Sequence, residues 1–392
     1  MSKMYIDVGS TYFKAFTQDN ITHYFRNFET TIYDDLTSKC HDLIEQHDKK
    51  DIHICSSANG GLSTLIIGIS QSFSLKYASN IAYNSGINII DTVLYSKIEK
   101  SEIPSDLIDV VIIVGGIDSV QDVFDEKLLN YLQKMHYSNI VYVGSQTQIP
   151  YLKKNIENLV VLDNIITNKL QMNEDRLKEY LTNLYNQDIV GKEEIKKLYE
   201  ITDNQIYSTP YIVNRALPLI HTKVDVVDPY IVIDIGGATT DIHYSKDLVE
   251  DNIITENEYD RLVFKKLGVY KSRDSLVFTA KNNEFVYELL AHLNTTENML
   301  EHKSDETTKL LMQLSIFLVL YKVSHQHQKY LNLKLTGLNS IVLTGGITKV
   351  LSREQMEDIV TFFYKKILNF HVFPKVVVDD DYTIWTLGMN AK

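Results

Sequence analysis

Short apolar runs rich in Val, Ile and Tyr alternate along this chain with longer amphipathic segments, the pattern of an α/β protein. Strands are predicted at 4–8, 12–17, 52–55, 64–69, 87–94, 110–114, 140–143, 230–235, 240–244, 340–344 and 375–378. Helices are predicted at 33–47, 122–136, 175–187, 193–199, 210–221, 307–331 and 353–368. The helix from 175 sets Leu177, Leu181, Leu184 and Asp188 along one flank, with Asn173 available as a cap. The helix from 307 starts apolar on nearly every face, so its first half should be buried centrally. Polar stretches at 187–205 and 225–229 are the best candidate boundaries. They suggest units at 1–224 and 225–380, with a terminal segment, 381–392, able to return to the first.

Two landmarks repeat. Asp7-Val8-Gly9-Ser10-Thr11 closes one apolar run and opens another, which reads as a tight strand–turn–strand. Asp234-Ile235-Gly236-Gly237-Ala238-Thr239-Thr240-Asp241 does the same, 227 residues on. Ile112-Ile113-Val114-Gly115-Gly116-Ile117 likewise matches Val342-Leu343-Thr344-Gly345-Gly346-Ile347, 230 residues on. The agreement of the two offsets favours a duplicated α/β half over chance.

Composition narrows the function classes. The 392 residues carry 39 Lys+Arg against 51 Asp+Glu, a net charge of −12, with no basic run. That balance disfavours a phosphate-backbone partner, so no nucleic acid is expected. The apolar stretch Leu310–Tyr321 is interrupted by Gln313 and Ser315 and is shorter than the ~20 residues a membrane span needs. No signal-peptide core opens the chain, and Cys40 and Cys55 match no zinc spacing. A cytoplasmic protein without membrane attachment is the expectation.

The turns themselves suggest chemistry. A turn rich in Gly, Ser and Thr presents several backbone N–H groups in one direction, and Gly allows close approach of a phosphate. A strand-end carboxylate repels phosphate but can hold a hydrated Mg²⁺ that bridges to it. Asp7 and Asp234 are the strand-end carboxylates, so two facing turns could clamp β- and γ-phosphates around a metal. Under the 227 offset, Lys14 corresponds to Asp241, which gives the first hairpin a cation and the second another carboxylate. Ordinary hairpins with Asp–Gly turns remain the plain alternative. There is no Gly-x-x-x-x-Gly-Lys-Ser/Thr and no Gly-x-Gly-x-x-Gly. His325-Gln326-His327 reads as surface, and the 25 Tyr residues read as core and compositional bias.

Asp7–Lys14 and Asp234–Asp241 resemble the two phosphate motifs of the sugar kinase, Hsp70 and actin superfamily, and Gly345-Gly346 resembles its adenosine motif. More narrowly, the segment Asp234–His243, the run from Ser56 to Leu62 and Val114-Gly115-Gly116-Ile117-Asp118 resemble the MutL proteins associated with glutamate mutase, which are unrelated to the mismatch-repair proteins of that name. The resemblance implies two duplicated actin-like (ribonuclease H-like) α/β domains around a nucleotide cleft. It implies ATP and Mg²⁺ as cofactors, with Asp7 and Asp234 at the metal. Backbone at Gly9, Ser10, Thr11, Gly236, Gly237, Ala238 and Thr239 would cradle phosphate, and Gly345 and Gly346 would let the backbone approach adenosine. Lys14 would neutralise transition-state charge, with Asp241 facing the same site.

The same resemblance implies a chaperone-like reactivating factor, weakly hydrolysing ATP, whose protein partner is a B12-dependent aminomutase or glutamate mutase. A homodimer is left open. The chain departs from the expected family pattern at Ser63, where a basic residue is expected, and at Phe264, Lys265 and Lys266, where an acidic stretch is expected. Asp118, after a strand and a Gly-Gly turn, is a candidate to position the attacking water, with helix capping as the alternative. Two other classes share these motifs. A filament-forming actin-like ATPase would differ only at its surfaces, and a small-molecule kinase would need a catalytic carboxylate that only Asp118 could supply.

Overall fold

The computed structural model describes residues 3–17, 20–57, 62–85, 87–104, 107–118, 123–191, 193–245, 248, 259–264, 267–326 and 333–390. Strands β1 (Met4–Val8), β2 (Tyr12–Thr17) and β3 (Asn20–Phe25) form an antiparallel meander, and β4 (Ile52–Ser56) joins β1 in parallel. The chain then builds a separate, wholly parallel sheet from β5 (Ser63–Gly68), β6 (Asn88–Leu94), β7 (Ile108–Val114), β8 (Tyr137–Tyr142) and β9 (Val160–Val161). It returns beside β4 as β10 (Tyr207–Ser208). A last sheet takes β11 (Tyr230–Ile235), β12 (Thr240–Ser245), β13 (Tyr259–Phe264), β14 (Ser340–Gly345) and β15 (Lys375–Val378).

The strand orders are β10-β4-β1-β2-β3, β6-β5-β7-β8-β9 and β13-β12-β11-β14-β15. The first and last share one plan: a central strand, an antiparallel meander on one side and two parallel strands on the other. Both central strands, β1 and β11, are buried along their whole length, as strands covered on both faces must be. Register repeats as well, with Asp7 opposite Lys14 and Asp234 opposite Asp241. This is the duplicated α/β architecture that the hairpin echo predicts.

The Gly-Gly echo is a false one. Gly115-Gly116 ends β7 in the inserted sheet, whereas Gly345-Gly346 ends and follows β14, the parallel neighbour of β11. In the first half the equivalent neighbour is β4. The likeness arises because both are apolar, doubly covered parallel strands that close on a tight turn, so their sequences converge without common position.

Smaller differences have local causes. The edge strands β3 and β13 fall outside the predicted set, β3 because none of its positions is fully buried and its apolar residues form no continuous run. The helix expected at 122–136 runs Glu126–Leu132, because the side chain of Asp125 accepts from Lys127 N at 2.9 Å and starts it there; residues 119–122 lie outside the described residues. Asn173 does not cap; it donates its amide to the Asn164 carbonyl at 3.1 Å. The helix expected at 307–331 runs Asp305–Tyr321 and is buried from Leu310 through Leu320 against the helix Arg353–Lys366, while the side chains of His325 and His327 lie outside the described residues.

After β15 the chain crosses to the first half. The helix Ile384–Asn390 packs against the helix Thr209–Ala216, so closely that a Cβ at Gly388 would stand 1.8 Å from the Ile212 carbonyl oxygen. The Tyr5 hydroxyl on β1 donates to Asn390 Oδ1. Cys40 and Cys55 are buried and unlinked. Among the described residues, no helix is long and apolar enough to cross a membrane.

Candidate functional site

The two hairpin turns are built alike. Gly9 N donates to Tyr12 O and Gly236 N to Thr239 O, each at 2.9 Å, so both turns close over four residues. A Cβ at Gly9 would lie 2.7 Å from Tyr12 O, which explains glycine at that corner. The second turn is held from behind: Gly236 O accepts from Val269 N, and Gly237 O accepts from Tyr270 N and Lys271 N. The Ser272 hydroxyl donates to Ala238 O at 2.7 Å, and Gly268 packs against the Ala238 backbone, where a Cβ would come within 2.2 Å. With these carbonyls engaged on one side, the opposite side of the turn faces the first hairpin. The contact is direct, for a Cβ at Gly237 would lie 2.1 Å from Thr11 Oγ1 and 2.9 Å from Ser10 Oγ.

A cavity of about 60 Å³ lies between the turns. Gly9, Ser10, Thr11 and Lys14 line it from the first half; Asp234, Gly236, Gly237, Thr239, Asp241 and Gly346 line it from the second. The carboxylates behave differently. Asp7 is fully buried and satisfied: Lys14 Nζ sits 2.5 Å from Oδ2, and Oδ1 accepts from Thr209 Oγ1 at 2.6 Å and from the Cys55 thiol at 3.7 Å. Burial pushes the Cys55 pKa well up, with Asp7 adding to it, so the thiol stays a donor. Asp234 is buried too, but its Oδ1 has no hydrogen-bond partner and its Oδ2 meets only the Tyr382 hydroxyl, at 3.4 Å. Burial raises its carboxyl from 3.8 to about 7; Lys14 pulls down, while Asp241 and Asp7 push further up.

This arrangement fits a cation beside Asp234. A buried carboxylate with an unpartnered oxygen is costly, and a divalent ion carrying part of its water shell is one solution. Asp241 Oδ2, 3.0 Å from the Thr239 hydroxyl, stands opposite Asp234 in the register. Asp7, by contrast, has its oxygens committed to Lys14, Thr209 and Cys55. Among the described residues, no cluster of three or more His, Cys, Asp or Glu could cage a bare ion. A metal here would keep most of its waters. The Thr11 hydroxyl, buried without a partner, points to the same need for a ligand.

Gly345 has a specific task. Its φ is +94°, and a Cβ would come within 2.5 Å of Asp234 Oδ1 and 2.4 Å of Ile235 O. Glycine there lets β14 end against the carboxylate. Gly346 lines the cavity, and a Cβ there would meet only Ile235 O, at 4.0 Å.

Asp118 is not in this cleft. It lies on a separate groove at the ends of β7, β8 and β9, where Oδ1 accepts from Gln146 N and Asn164 Nδ2, both at 3.2 Å. Its position follows from the false echo, since the Gly-Gly turn before it belongs to the inserted sheet. Through Gln146 N it supports the start of the 3-10 turn Gln146–Gln148 that leads into the helix Ile149–Asn155, in keeping with the capping alternative, and it does not line the cavity between the hairpins. Its removal takes away the carboxylate on which the small-molecule kinase reading depended.

Sequence reasoning missed Thr209, Cys55 and Tyr382. Thr209 opens a helix with Pro210 behind it, a recognisable start, but nothing in the sequence ties it to Asp7. Tyr382 is one of 25 tyrosines, and its neighbourhood shows no motif.

Protein MutL of Clostridium tetanomorphum is 24% identical over 265 residues, 61% of this chain and 56% of that relative, so the match spans just over half the relative's length. Among solved structures, the apo psk41 ParM protein is similar over 99% of this chain and 95% of its own, at 11% identity and a TM-score of 0.29. The PilM–PilN type IV pilus biogenesis complex gives 10% identity and 0.31, covering 99% of this chain and 97% of its own. Glycerol dehydratase reactivase gives 8% and 0.34, with both chains covered in full. These TM-scores are too low to bear on the fold, which rests on the strand order. A family model described as MutL protein matches residues 3–392, from the first strand to the last helix. The chain belongs to the MutL protein family.

Proposed function

We propose that this protein binds Mg-ATP between its two hairpin turns, hydrolyses it slowly and couples that cycle to a protein partner. The observation that carries the reading is the meeting of Gly9–Thr11 and Gly236–Thr239 around Lys14, Asp234 and Asp241. Backbone N–H groups of both turns would receive the phosphates, with the Thr11 and Thr239 hydroxyls beside them. Mg²⁺, when bound, would offset phosphate charge through its waters. Asp234 would hold that shell, with Asp241 in support, and Lys14 would stabilise charge on the transferred phosphoryl group. Asp7 would fix Lys14. The turns touch and the cavity is small beside the ~300 Å³ of a ligand pocket, so binding entails some parting of the halves. The carboxylates that line the cleft, Asp234 and Asp241, are given to the metal's water shell in this reading, which leaves no separate base for the attacking water and suits a slow switch better than a fast kinase.

The partner we propose is a coenzyme-B12-dependent mutase, glutamate mutase or an aminomutase, from which damaged cofactor is exchanged. Family membership supports this reading. The test is recovery of activity. Candidate mutases inactivated by turnover are incubated with this protein, Mg-ATP and fresh cofactor. Recovery that needs both the protein and hydrolysable ATP supports the reading; recovery without ATP, or none with any candidate, rejects it.

A further inference from the structure

The turn that follows β15 belongs to the second half, yet it reaches into the first. Asp379 anchors it: its carboxylate accepts from Thr344 Oγ1 at 2.9 Å, from Thr383 N at 3.0 Å and from Ile384 N at 2.9 Å. Lys349 Nζ donates to Asp380 O at 2.6 Å, which ties the turn to the segment after Gly346. Between these anchors stands Tyr382, buried, with φ +53°. A bulky residue rarely adopts that left-handed conformation, and it persists where surrounding contacts over-determine it.

Those contacts converge on the candidate site. Lys14 Nζ lies 3.5 Å from the centre of the Tyr382 ring, within the range where an ammonium is attracted to an aromatic face. The hydroxyl at the far end of the ring points to Asp234 Oδ2. The Tyr382 carbonyl accepts from Trp385 Nε1 at 2.8 Å, and Trp385 is buried in the helix that docks on Thr209–Ala216. One side chain therefore touches the cation of the first hairpin and the carboxylate of the second, and its backbone holds the helix that straps the halves together.

We propose that Tyr382 is a positioning residue for Lys14, and that through Trp385 it reports occupancy of the cleft to the C-terminal helix. Asp7 grips one side of the ammonium and the ring covers another, which leaves the remaining N–H directions for the cavity. A phosphate drawing on Lys14 must shift the ammonium relative to the ring, and the Tyr382–Trp385 bond carries that shift into the helix. This inference rests on the nucleotide reading above.

The experiment compares wild type with Tyr382→Phe and Tyr382→Asn. Phe keeps the ring; Asn tolerates the left-handed backbone and removes it. An ammonium–ring contact of ordinary strength corresponds to a change of about 2- to 30-fold. We expect Tyr382→Asn to lower kcat for Mg-ATP by about tenfold, with KM changed less than twofold, and Tyr382→Phe to restore most of it. Trp385 is the sole tryptophan of the chain, so its emission is read without labelling. Saturating Mg-ATP should shift that emission in wild type and Tyr382→Phe and leave it unmoved in Tyr382→Asn. Binding is followed separately by calorimetry. If Mg-ATP binds while the emission stays constant in wild type, or if Phe and Asn lose kcat equally, this inference is overturned and the nucleotide reading stands. If calorimetry finds no binding, both are overturned.

Discussion

Asp7 and Asp234 occupy matching positions on matching strands, and each buries a carboxylate. Asp7 has Lys14 and Thr209 against it, so its charge is compensated; removing the cation would leave it buried alone. We expect Lys14→Met to destabilise by about 3–5 kcal/mol, the usual range for breaking a buried pair, measured by urea unfolding at pH 7. Asp234 has no such partner, and burial holds its pKa near 7, against 3.8 for the free side chain. Between those values the native state binds a proton that the unfolded state does not. Native stability therefore falls as pH rises from about 4 to about 7, and the full cost is present above 7. Asp234→Asn should erase that slope: without nucleotide it should melt higher than wild type at pH 8 and level with it near pH 4. Thermal scans across that range check the sign; an Asn variant less stable at pH 8 would mean that Asp234 is already compensated. Because the metal needs the ionised form, Mg²⁺ should tighten nucleotide binding more at pH 8 than at pH 6 in wild type.

At the scale of elements, glycines decide how closely turns and strands approach. Gly345 combines a positive φ with contact to Asp234, whereas Gly346 is open. Gly345→Ala should cost about 1–3 kcal/mol, the range for a residue forced into a strained backbone, and should weaken Mg-ATP binding by crowding Asp234. Gly346→Ala should leave stability within ~1 kcal/mol of wild type. Denaturant midpoints of the pair test this, and equal losses would refute the assignment. The two hairpins were legible in the sequence because an Asp at a strand end, a Gly-rich turn and a following apolar run are all local features. Their register, and with it the Lys14–Asp241 correspondence, follows from turn length. The second Gly-Gly pair misled because a strand's sequence records its burial and its turn, not the sheet it joins. Asp118 went astray with it. Thr209 and Tyr382 lie 202 and 148 residues from the carboxylates they contact, distances over which local pattern holds no information.

For the whole molecule, the two sheets share one plan, and the inserted sheet interrupts the first between β4 and β10. Duplication was readable from one echo; the insertion was not, because its strands look like any doubly covered parallel strands. The C-terminal helix is the strap between halves, and Gly388 sets its approach to the Ile212 carbonyl. Gly388→Val should displace that helix, lower Tm by several degrees and red-shift Trp385 emission, since the indole would lose its burial. An unchanged emission spectrum would show that the helix docks without this contact. The central claim is that the turns at Asp7 and Asp234 form one metal-dependent nucleotide site. Its most direct test is calorimetric titration of ATP into wild type and Asp234→Asn at pH 8, each with and without Mg²⁺. The account expects one site per chain in wild type, tightened at least tenfold by Mg²⁺, and an Asn variant that binds metal-free nucleotide as well as wild type but gains nothing from the metal. No binding in wild type, or equal Mg²⁺ dependence in both proteins, would contradict it.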